Sequence, residues 1–558
     1  MPESSSGAAE KSAGSIADTR PAGLRKINPE IFWLIVIFLL AVILRTIAAF
    51  SRGMIQFDET TYTRMAQNLL AGHSSLDITG TTATHFSFLY PFMTAAFSVF
   101  GHNYVAAGYA VSVLFGSLIV LPTYLFGKVM WNRRVATAAA ALVAVMPIMV
   151  DKGSIVDGSS VFAFWLMSAM FFGYRMQFTK RCMCGMLAGT SLGLAYLDDP
   201  SALYYLVVLF TLLVIVGYRQ ELANYANKAA THFVLMFLVF AIPSIAYMTY
   251  ENSSFTINDR PNDQIYASVQ GVSPGTAEHD RVIMGLDSNG DLNMWSLQQG
   301  PGLIETMVKE PVAFIKAVLR NDYNFYIRNV NGIVPVWLLP LIGLGLFKLV
   351  WTRREALKYG YFAIVTAPLL ILPVAWTDNR FVLPYVGIAM LLVARGWVYL
   401  EAWAADTIKA LAGWSEISDK GRERMRRVVA ALVLAPLAAL SMWTVFRTDY
   451  PLEFRRAGEW LAANGGEDAR IMSRESSSSW YSGGTQVVLP YASVDEVIDY
   501  GRRNNAEYLV VQRQMIEKLR PELVSLLDPS QAGLALTPVY HDGAAGSDSE
   551  TIIYRIAR

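Results

Sequence analysis

Long runs of apolar residues, separated by short polar stretches, dominate the first four-fifths of the chain. A helix of about 20 apolar residues is long enough to cross the hydrocarbon core of a bilayer. The pattern predicts about eleven such spans, at residues 31–50, 103–127, 135–150, 159–178, 183–197, 201–217, 229–250, 333–351, 358–376, 381–400 and 428–446. We therefore expect an all-α polytopic membrane bundle.

The two ends of the chain follow other patterns. Residues 1–30 are rich in Ser, Ala and Gly and show no apolar periodicity, which predicts a disordered tail. Residues 447–558 alternate helical and strand patterns, which predicts a small α/β domain. Between them we expect one transmembrane domain over 31–446, with long loops at 51–102 and 251–332.

The composition agrees with this class. Hydrophobic residues make up 54% of the 558 residues and charged residues only 16%, which is too apolar for a soluble enzyme. The formal net charge of +1 comes without a basic stripe, so we expect no nucleic-acid partner. The only cysteines are Cys182 and Cys184, which support neither a disulfide framework nor a zinc site.

Basic residues in the loops orient the predicted spans, because cytoplasmic loops are enriched in Lys and Arg. The apolar segment 85–100 decides the number of crossings. If it lies in the outer interface, where its Phe and Tyr side chains suit the headgroup level, every basic cluster shares one side with the basic tail. These clusters lie at 128–134, 180–181, 219–228, 348–358 and 420–427. We predict a multi-pass cell-membrane protein with a cytoplasmic N-terminus and an extracytoplasmic C-terminal domain.

This orientation places most acidic loop residues on the outer face. They are Asp58, Glu59, Asp151, Asp157, Asp198, Asp199 and Asp378, the last close to Arg380. A loop acid is usually a solvated charge, and that interpretation suits Asp151 and Asp198. Asp58 and Asp157 lie within a few residues of an apolar helix end, where a charge is costly and tends to be retained for function.

Four segments together resemble landmarks of a known family. They are FDETTYTRMAQNLLAG, THFSFLYPFMTAAFSVFG, VMPIMVDKGSIVDGSSVFAFWLMSAMFF and TDNRFVLPYVGIAMLLVARGW. Their order resembles that of bacterial GT-C membrane glycosyltransferases, of the family 39 type that includes protein mannosyltransferases and aminoarabinose transferases. The resemblance covers residues 31–400.

The resemblance implies transfer of a sugar from a polyprenyl-phosphate donor to an acceptor hydroxyl on the outer membrane face, with inversion. The chemistry requires a base, a countercharge for the departing phosphate and a dry pocket. Asp58 matches the catalytic base and Asp157 the second catalytic acid, with Glu59 as a supporting neighbour. Arg380 and His85 are candidates for binding the donor.

The chain departs from the family in one place. Where relatives often carry a Lys near the outer end of the fifth span, it has Asp198 and Asp199. Either Arg380 holds the phosphate, helped by groups such as Lys152 or Arg320, or the two acids hold Mg²⁺ or Mn²⁺. The first alternative is favoured, so no cofactor is predicted. The expected partners are the lipid-linked donor, a glycan, lipid or protein acceptor, and the bilayer.

Two other functions fit the same pattern in part. Outer carboxylates among many helices also suit a flippase for lipid-linked sugars, although the spans show no repeated halves and the acids gather on one face. An oligosaccharyl transferase or ligase with a lipid-diphosphate donor is the third alternative, and a metal requirement would favour it.

Overall fold

The computed structural model describes most of the chain from residue 28 onward. The described ranges are 28–73, 76–179, 182–217, 223–258, 263–292, 303–347, 352–370, 379–411, 418–531 and 533–557. The tail predicted for residues 1–30 falls almost entirely outside them. Parts of the spans predicted at 333–351 and 358–376, and Asp378, also lie outside the described residues.

Helices account for nearly all regular structure up to residue 447. In chain order the α-helices of this part are α1 (Pro29–Ser51), α2 (Asp58–Leu70), α3 (Leu89–Ser98), α4 (Tyr104–Leu118), α5 (Val120–Met130), α6 (Arg133–Val145), α7 (Pro147–Lys152), α8 (Ser159–Thr179), α9 (Cys182–Asp198), α10 (Ala202–Gly217), α11 (Ala223–Glu251), α12 (Asp263–Val269), α13 (Ala277–Met284), α14 (Leu303–Lys309), α15 (Pro311–Asp322), α16 (Val330–Ile333), α17 (Leu339–Phe347), α18 (Arg353–Thr366), α19 (Leu383–Leu411) and α20 (Asp419–Arg447). A π-helical turn at Tyr323–Arg328 and 3₁₀ turns at Val336–Leu338, Ala367–Leu370 and Asn379–Val382 connect them.

Each predicted span is largely helical where the structure describes it, with short breaks such as those at Met146 and at residues 334–335. Five helical stretches in the described part of the chain are long and apolar enough to cross a bilayer: Pro29–Ser51, Tyr104–Met130, Asn224–Glu251, Asn379–Leu411 and Asp419–Arg447. Most of the others are shorter or interrupted, as where Pro147 separates α6 from α7. The structure therefore has the predicted helical membrane class, with fewer full-length spans than the apolar runs indicate.

The segment 85–100 forms only the ten-residue helix α3. A helix of that length extends about 15 Å, half of the hydrocarbon core. This length agrees with the prediction that the segment does not cross the membrane.

Glycines spaced four residues apart let two helices approach closely. Gly185 and Gly189 lie on α9 where it packs against α11. A Cβ added at Gly189 would lie 2.2 Å from the carbonyl oxygen of Phe233, so only glycine fits there. Membrane helices commonly pack through such small residues. The contact holds in place the end of α9, where Asp198 lies.

Arg45 is fully buried within the helical bundle. Its Nη1 donates to the carbonyl of Ala144 at 3.1 Å and its Nη2 to that of Val143 at 3.3 Å. These carbonyls belong to the last turn of α6, where intrahelical donors run out. A cation at a helix C-terminus is also favoured by the helix dipole. Arg45 therefore joins α1 to the end of α6.

The C-terminal part is built on a five-stranded sheet. Its strands are β1 (Arg470–Ser473), β2 (Thr485–Val488), β3 (Tyr508–Gln512), β4 (Leu536–Asp542) and β5 (Thr551–Ile556), in the order β2-β1-β3-β5-β4. β1 pairs in parallel with β2 and β3, whereas β5 is antiparallel to β3 and β4. The helices are α21 (Leu452–Ala463), α22 (Ser477–Ser482), α23 (Val494–Arg503) and α24 (Arg513–Leu519), with 3₁₀ turns at Pro521–Leu527 and Pro529–Gln531.

Hydrogen bonds attach this sheet to the loops of the helical part. The Gln486 amide on β2 donates to the Ile78 carbonyl at 2.9 Å, and the Tyr491 amide donates to Met284 at the end of α13 at 2.8 Å. Asp280 on α13 is buried and accepts from Arg474 at 2.8 Å and from the buried Arg520. The sheet thereby covers the loops that follow α1 and α11.

Candidate active site

A cavity of about 850 Å³ lies between the helical part and the C-terminal sheet. Side chains of the helical part and of the sheet both line it. From the helical part they include Asp58, Tyr62, His85, Asp198, Asp199 and Arg380, and from the C-terminal part Arg470, Arg474, Ser476 and Gln486. Most of the residues predicted for the site therefore face one space.

Asp58 and Arg380 form an ion pair in this cavity. Arg380 Nη1 donates to Asp58 Oδ2 at 2.8 Å. Asp58 begins α2, and Arg380 lies in the 3₁₀ turn that precedes α19, so two distant segments meet here. The Asp58 side chain stays 40% exposed and that of Arg380 24%. Both groups are therefore reachable from the cavity.

Glu59, the next residue, faces away from the cavity into the protein. Its Oε1 accepts from the Val156 amide at 2.8 Å and its Oε2 from the Gln56 amide at 2.9 Å. Burial raises the pKa of the Glu59 carboxyl to about 7, although these hydrogen bonds and Arg52 favour its ionised form. Glu59 thus ties the start of α2 to the loop that carries Asp157, which fits the supporting role predicted for it.

Asp157 is buried beside the cavity. Its Oδ1 accepts from the Ser159 amide at 3.0 Å and its Oδ2 from the Ser159 hydroxyl at 2.8 Å, which caps the start of α8. Burial raises its pKa, opposed first by the nearby charge of Arg380. The cavity wall itself is formed here by Gly158 and Ser159. Asp157 is therefore close enough for its charge to act on Arg380, the partner of Asp58.

Asp198 and Asp199 line the cavity at the end of α9. Asp198 Oδ1 accepts from the Ser87 hydroxyl at 3.3 Å, and Asp199 Oδ1 accepts from the Ser201 amide at 2.8 Å. Gly158 packs on the Asp198 carboxylate, where an added Cβ would lie 2.6 Å from Oδ2. Both acids thus have local hydrogen-bond donors.

A cation held by these acids is the second alternative for the donor phosphate. In the part of the chain that the structure describes, no group of three or more His, Cys, Asp or Glu side chains is placed to hold a metal ion. A Mg²⁺ or Mn²⁺ requirement therefore stays a prediction for experiment. Of the other cations considered for the phosphate, Arg320 donates to the Ser268 carbonyl. The charge of Lys152 acts on Asp157.

Asp151 has a structural partner. Arg52, just after α1, donates from Nη2 to Asp151 Oδ1 at 2.7 Å and to its carbonyl at 3.0 Å. The same guanidinium reaches the Ser154 hydroxyl at 3.2 Å. The pair fixes the end of α1 against α7, so the half-exposed Asp151 is ion-paired, whereas the sequence predicted a solvated charge.

Two kinds of residue line the cavity without having been predicted from the sequence. Tyr62 lies one turn after Asp58 on the same face of α2 and lines the cavity, a position that the i, i+4 spacing could have revealed. Burial, followed by the charges of Asp198 and Asp58, raises its pKa, so its hydroxyl stays protonated. The second kind comes from the C-terminal part, such as Arg470 and Arg474, and no local pattern marks those residues.

Comparisons with known proteins agree with this architecture. Residues 87–247 match the dolichyl-phosphate-mannose-protein mannosyltransferase family. The search of curated proteins found no match. Among solved structures, the archaeal oligosaccharyltransferase AglB from Archaeoglobus fulgidus, in complex with an inhibitory peptide and a dolichol-phosphate, matches with a TM-score of 0.55 at 13% identity over 95% of this chain and 74% of that chain. ArnT from Cupriavidus metallidurans bound to undecaprenyl phosphate matches with a TM-score of 0.55 at 11% identity over 94% of this chain and 98% of that chain.

At these identities the solved structures establish the fold, and the family match adds a sequence relationship over residues 87–247. The family match and the shared fold together support a glycosyltransferase. The resemblance inferred from the sequence is thereby confirmed.

Proposed function

We propose that the chain transfers a sugar from a polyprenyl-phosphate donor to an acceptor hydroxyl, with inversion at the anomeric carbon. This proposal rests on the ion pair between Asp58 and Arg380, which lies in a cavity lined on one side by the C-terminal sheet. It brings a carboxylate and a guanidinium together where both face the same space. General-base attack with expulsion of a phosphate requires these two groups.

In the proposed reaction, Asp58 accepts the proton of the acceptor hydroxyl as its oxygen bonds to the anomeric carbon. The bond from that carbon to the phosphate oxygen breaks on the opposite face, and the lipid phosphate leaves with the electron pair. Arg380 supplies the countercharge, for which its planar guanidinium suits phosphate oxygens. A single displacement of this kind inverts the anomeric configuration. The proton ends on Asp58 and the negative charge on the lipid phosphate.

Asp157 and Glu59 support this step without lining the cavity. The charge of Asp157 acts on Arg380. Glu59 holds the start of α2 against the loop of Asp157 through the Val156 amide. Tyr62 keeps its proton and can donate to a sugar hydroxyl or phosphate oxygen. His85 lies between this cavity and a smaller one lined by Phe86, Phe88 and Tyr247, and is placed to contact the donor.

We place the acceptor against the C-terminal wall of the cavity. Arg470 and Gln486 line this wall together with His279 of α13. Guanidinium, amide and imidazole N–H groups such as theirs can donate to the hydroxyl groups of a bound saccharide, so this wall is suited to an acceptor sugar.

The sidedness of the reaction rests on the distribution of basic loops. With a cytoplasmic N-terminus, the cavity and the C-terminal domain lie on the outer face, where nucleotide sugars are absent and a lipid-linked donor is required. A lipid-phosphate carrier is also what the ArnT structure contains. The division into a tail, a catalytic transmembrane domain over 31–446 and an extracytoplasmic domain over 447–558 belongs to the same proposal.

The test is transfer from a panel of radiolabelled polyprenyl-phosphate and polyprenyl-diphosphate sugars by the purified chain in liposomes. Membrane extract supplies the acceptors, and each donor is assayed with and without EDTA. The proposal predicts incorporation from a monophosphate donor that survives EDTA. Incorporation only from a diphosphate donor, with loss in EDTA, would favour the oligosaccharyl transferase alternative. Movement of the lipid-linked sugar across the bilayer without any transfer would favour the flippase.

A further inference from the structure

The short segment between α1 and α2 is bonded to the C-terminal domain at several points. Five hydrogen bonds join residues 55–60 to residues 475–481: one, from the Ser476 hydroxyl to the Phe57 carbonyl, is 3.4 Å long, and the other four are 3.0 Å or shorter. These four are Ile55 N to Tyr481 Oη at 3.0 Å, Ser477 Oγ to the Ile55 carbonyl at 2.7 Å, Phe57 N to Glu475 Oε1 at 2.9 Å, and Thr60 Oγ1 to Ser476 Oγ at 2.7 Å. The backbone that leads into Asp58 is therefore held in place by the C-terminal domain.

Phe57, directly before Asp58, has an unusual backbone conformation. Its φ is 44° and its ψ is −120°, a combination that costs free energy for any residue except glycine. Its side chain is 47% exposed, so packing of the ring does not hold the backbone in place. Strained residues of this kind persist only where their surroundings over-determine them. The hydrogen bonds to Phe57 therefore hold its backbone in this conformation.

Glu475 is placed to hold this conformation. It is 1% exposed and lies between β1 and α22. One carboxylate oxygen accepts from the Phe57 amide at 2.9 Å and the other from the Ser477 amide at 2.6 Å. The same side chain is thus anchored to its own domain through Ser477 and reaches the helical part through Phe57.

We propose that Glu475 is a positioning residue: its carboxylate holds the strained backbone of Phe57 and so directs the Asp58 carboxylate at the start of α2 into the cavity. The inference rests on the proposed role of Asp58 as the base. It gives the C-terminal domain a part in catalysis although that domain supplies no reacting group. If the Asp58 carboxylate no longer points into the cavity, the chemical step becomes slower while the donor still binds.

The test compares Glu475→Gln with a matched variant of the same domain. The introduced amide would keep one acceptor and turn an NH₂ group against a backbone N–H, so one of the two backbone bonds is lost. We expect kcat to fall about 10- to 100-fold, with the KM for the donor changed less than twofold. Glu550→Gln is the control, because Glu550 is also buried and accepts from a backbone amide, that of Gly546 at 2.7 Å, but lies away from Phe57. Since Glu550 also pairs with Arg513 and His541, the control is expected to lower thermal stability at least as much and to keep kcat within twofold.

A second variant tests the strain itself. Glycine adopts φ of 44° at little cost, so Phe57→Gly in the Glu475→Gln background is expected to recover kcat at least threefold, whereas Phe57→Ala in that background is not. A kcat of Glu475→Gln within twofold of that of Glu550→Gln would overturn the inference, as would an equal rescue by alanine. If Asp58→Asn keeps full transfer, the proposed function fails first. If Asp58→Asn is inactive and Glu475→Gln behaves as the control, only the positioning role fails.

Discussion

Replacing Glu59 by Gln is expected to remove a titration from the pH dependence of transfer. Both oxygens of Glu59 accept from backbone amides, one of Val156 and one of Gln56. A protonated carboxyl must turn an O–H towards one of those N–H groups and loses that bond. The ionised form therefore holds α2 against the loop of Asp157, and we expect transfer to rise with pH as Glu59 ionises.

The magnitude follows from the pKa. Burial raises it from 4.5 to about 7, a difference worth about 3 kcal/mol. Because the folded-state pKa lies above the unfolded-state value, the folded protein binds the proton more tightly, and stability falls as pH rises from about 4.5 to about 7. Over pH 6 to 8 the ionised fraction rises from about one tenth to about nine tenths, so transfer should rise about ninefold.

The assay is the initial rate of sugar transfer in liposomes at saturating donor, from pH 5.5 to 8.5, for the parent and Glu59→Gln. The Gln amide accepts one backbone N–H and opposes the other, which mimics the protonated acid. The variant should hold the parent's low-pH rate throughout, and its thermal stability should no longer fall with pH near 6. A rate profile with the same rise near pH 7 would refute the reasoning. The titration would then belong to another group such as Asp157, whose pKa burial also raises.

Three further predictions concern other parts of the molecule. Arg380→Lys keeps the charge but loses the planar guanidinium, so the KM for the donor should rise about tenfold, equivalent to about 1.4 kcal/mol. Initial rates against donor concentration measure this KM, and an unchanged value would show that the phosphate is held elsewhere. Arg470→Ala should raise the KM for the acceptor about threefold or more, as expected for a lost hydrogen bond of about 1 kcal/mol, and leave the KM for the donor unchanged. The control Arg502→Ala, which removes an exposed arginine of the same domain, should change neither KM. Arg45→Met should destabilise the bundle by about 1–3 kcal/mol for each buried carbonyl left unpaired, seen as a lower unfolding temperature in detergent; an unchanged temperature would mean that the end of α6 does not depend on Arg45.

The helical part of the fold could be read from the sequence because apolar runs directly report burial in lipid or in the bundle. The ten-residue helix α3 agrees with an interfacial rather than a crossing segment. The spans that are interrupted, as at Pro147, look continuous in hydropathy because proline in an apolar run changes hydrogen bonding and not hydrophobicity.

Two elements of the C-terminal part have no clear pattern in the sequence. β4 is an edge strand with a register shift at Pro538, and the burial of its residues does not alternate. α22 is a short serine-rich helix of low intrinsic propensity. It is held by bonds to other segments, such as that from the Ser478 hydroxyl to the Phe454 carbonyl at 3.1 Å.

The candidate site also has parts that the sequence predicts and parts that it does not. Asp58, Arg380, His85, Asp198 and Asp199 were predicted to share one site, and all five line the cavity. The ion pair joins residues 322 positions apart, which no periodicity reveals. The resemblance placed Asp58 and Arg380 in one site but did not predict that they pair. The contribution of the C-terminal sheet could not be predicted, because it depends on how two separately folded parts meet.

The most direct test of the account is the transfer rate of Asp58→Asn, measured together with its binding of the active polyprenyl-phosphate sugar. Asp151→Asn is the matched control, because Asp151 is a partly exposed loop acid that pairs with Arg52 away from the cavity. The account predicts that Asp58→Asn loses at least about a thousandfold in transfer rate, consistent with loss of a general base and its ordered ion pair, while donor binding changes less than threefold and the control stays active. Transfer by Asp58→Asn within tenfold of the parent would contradict the central claim that this carboxylate is the base.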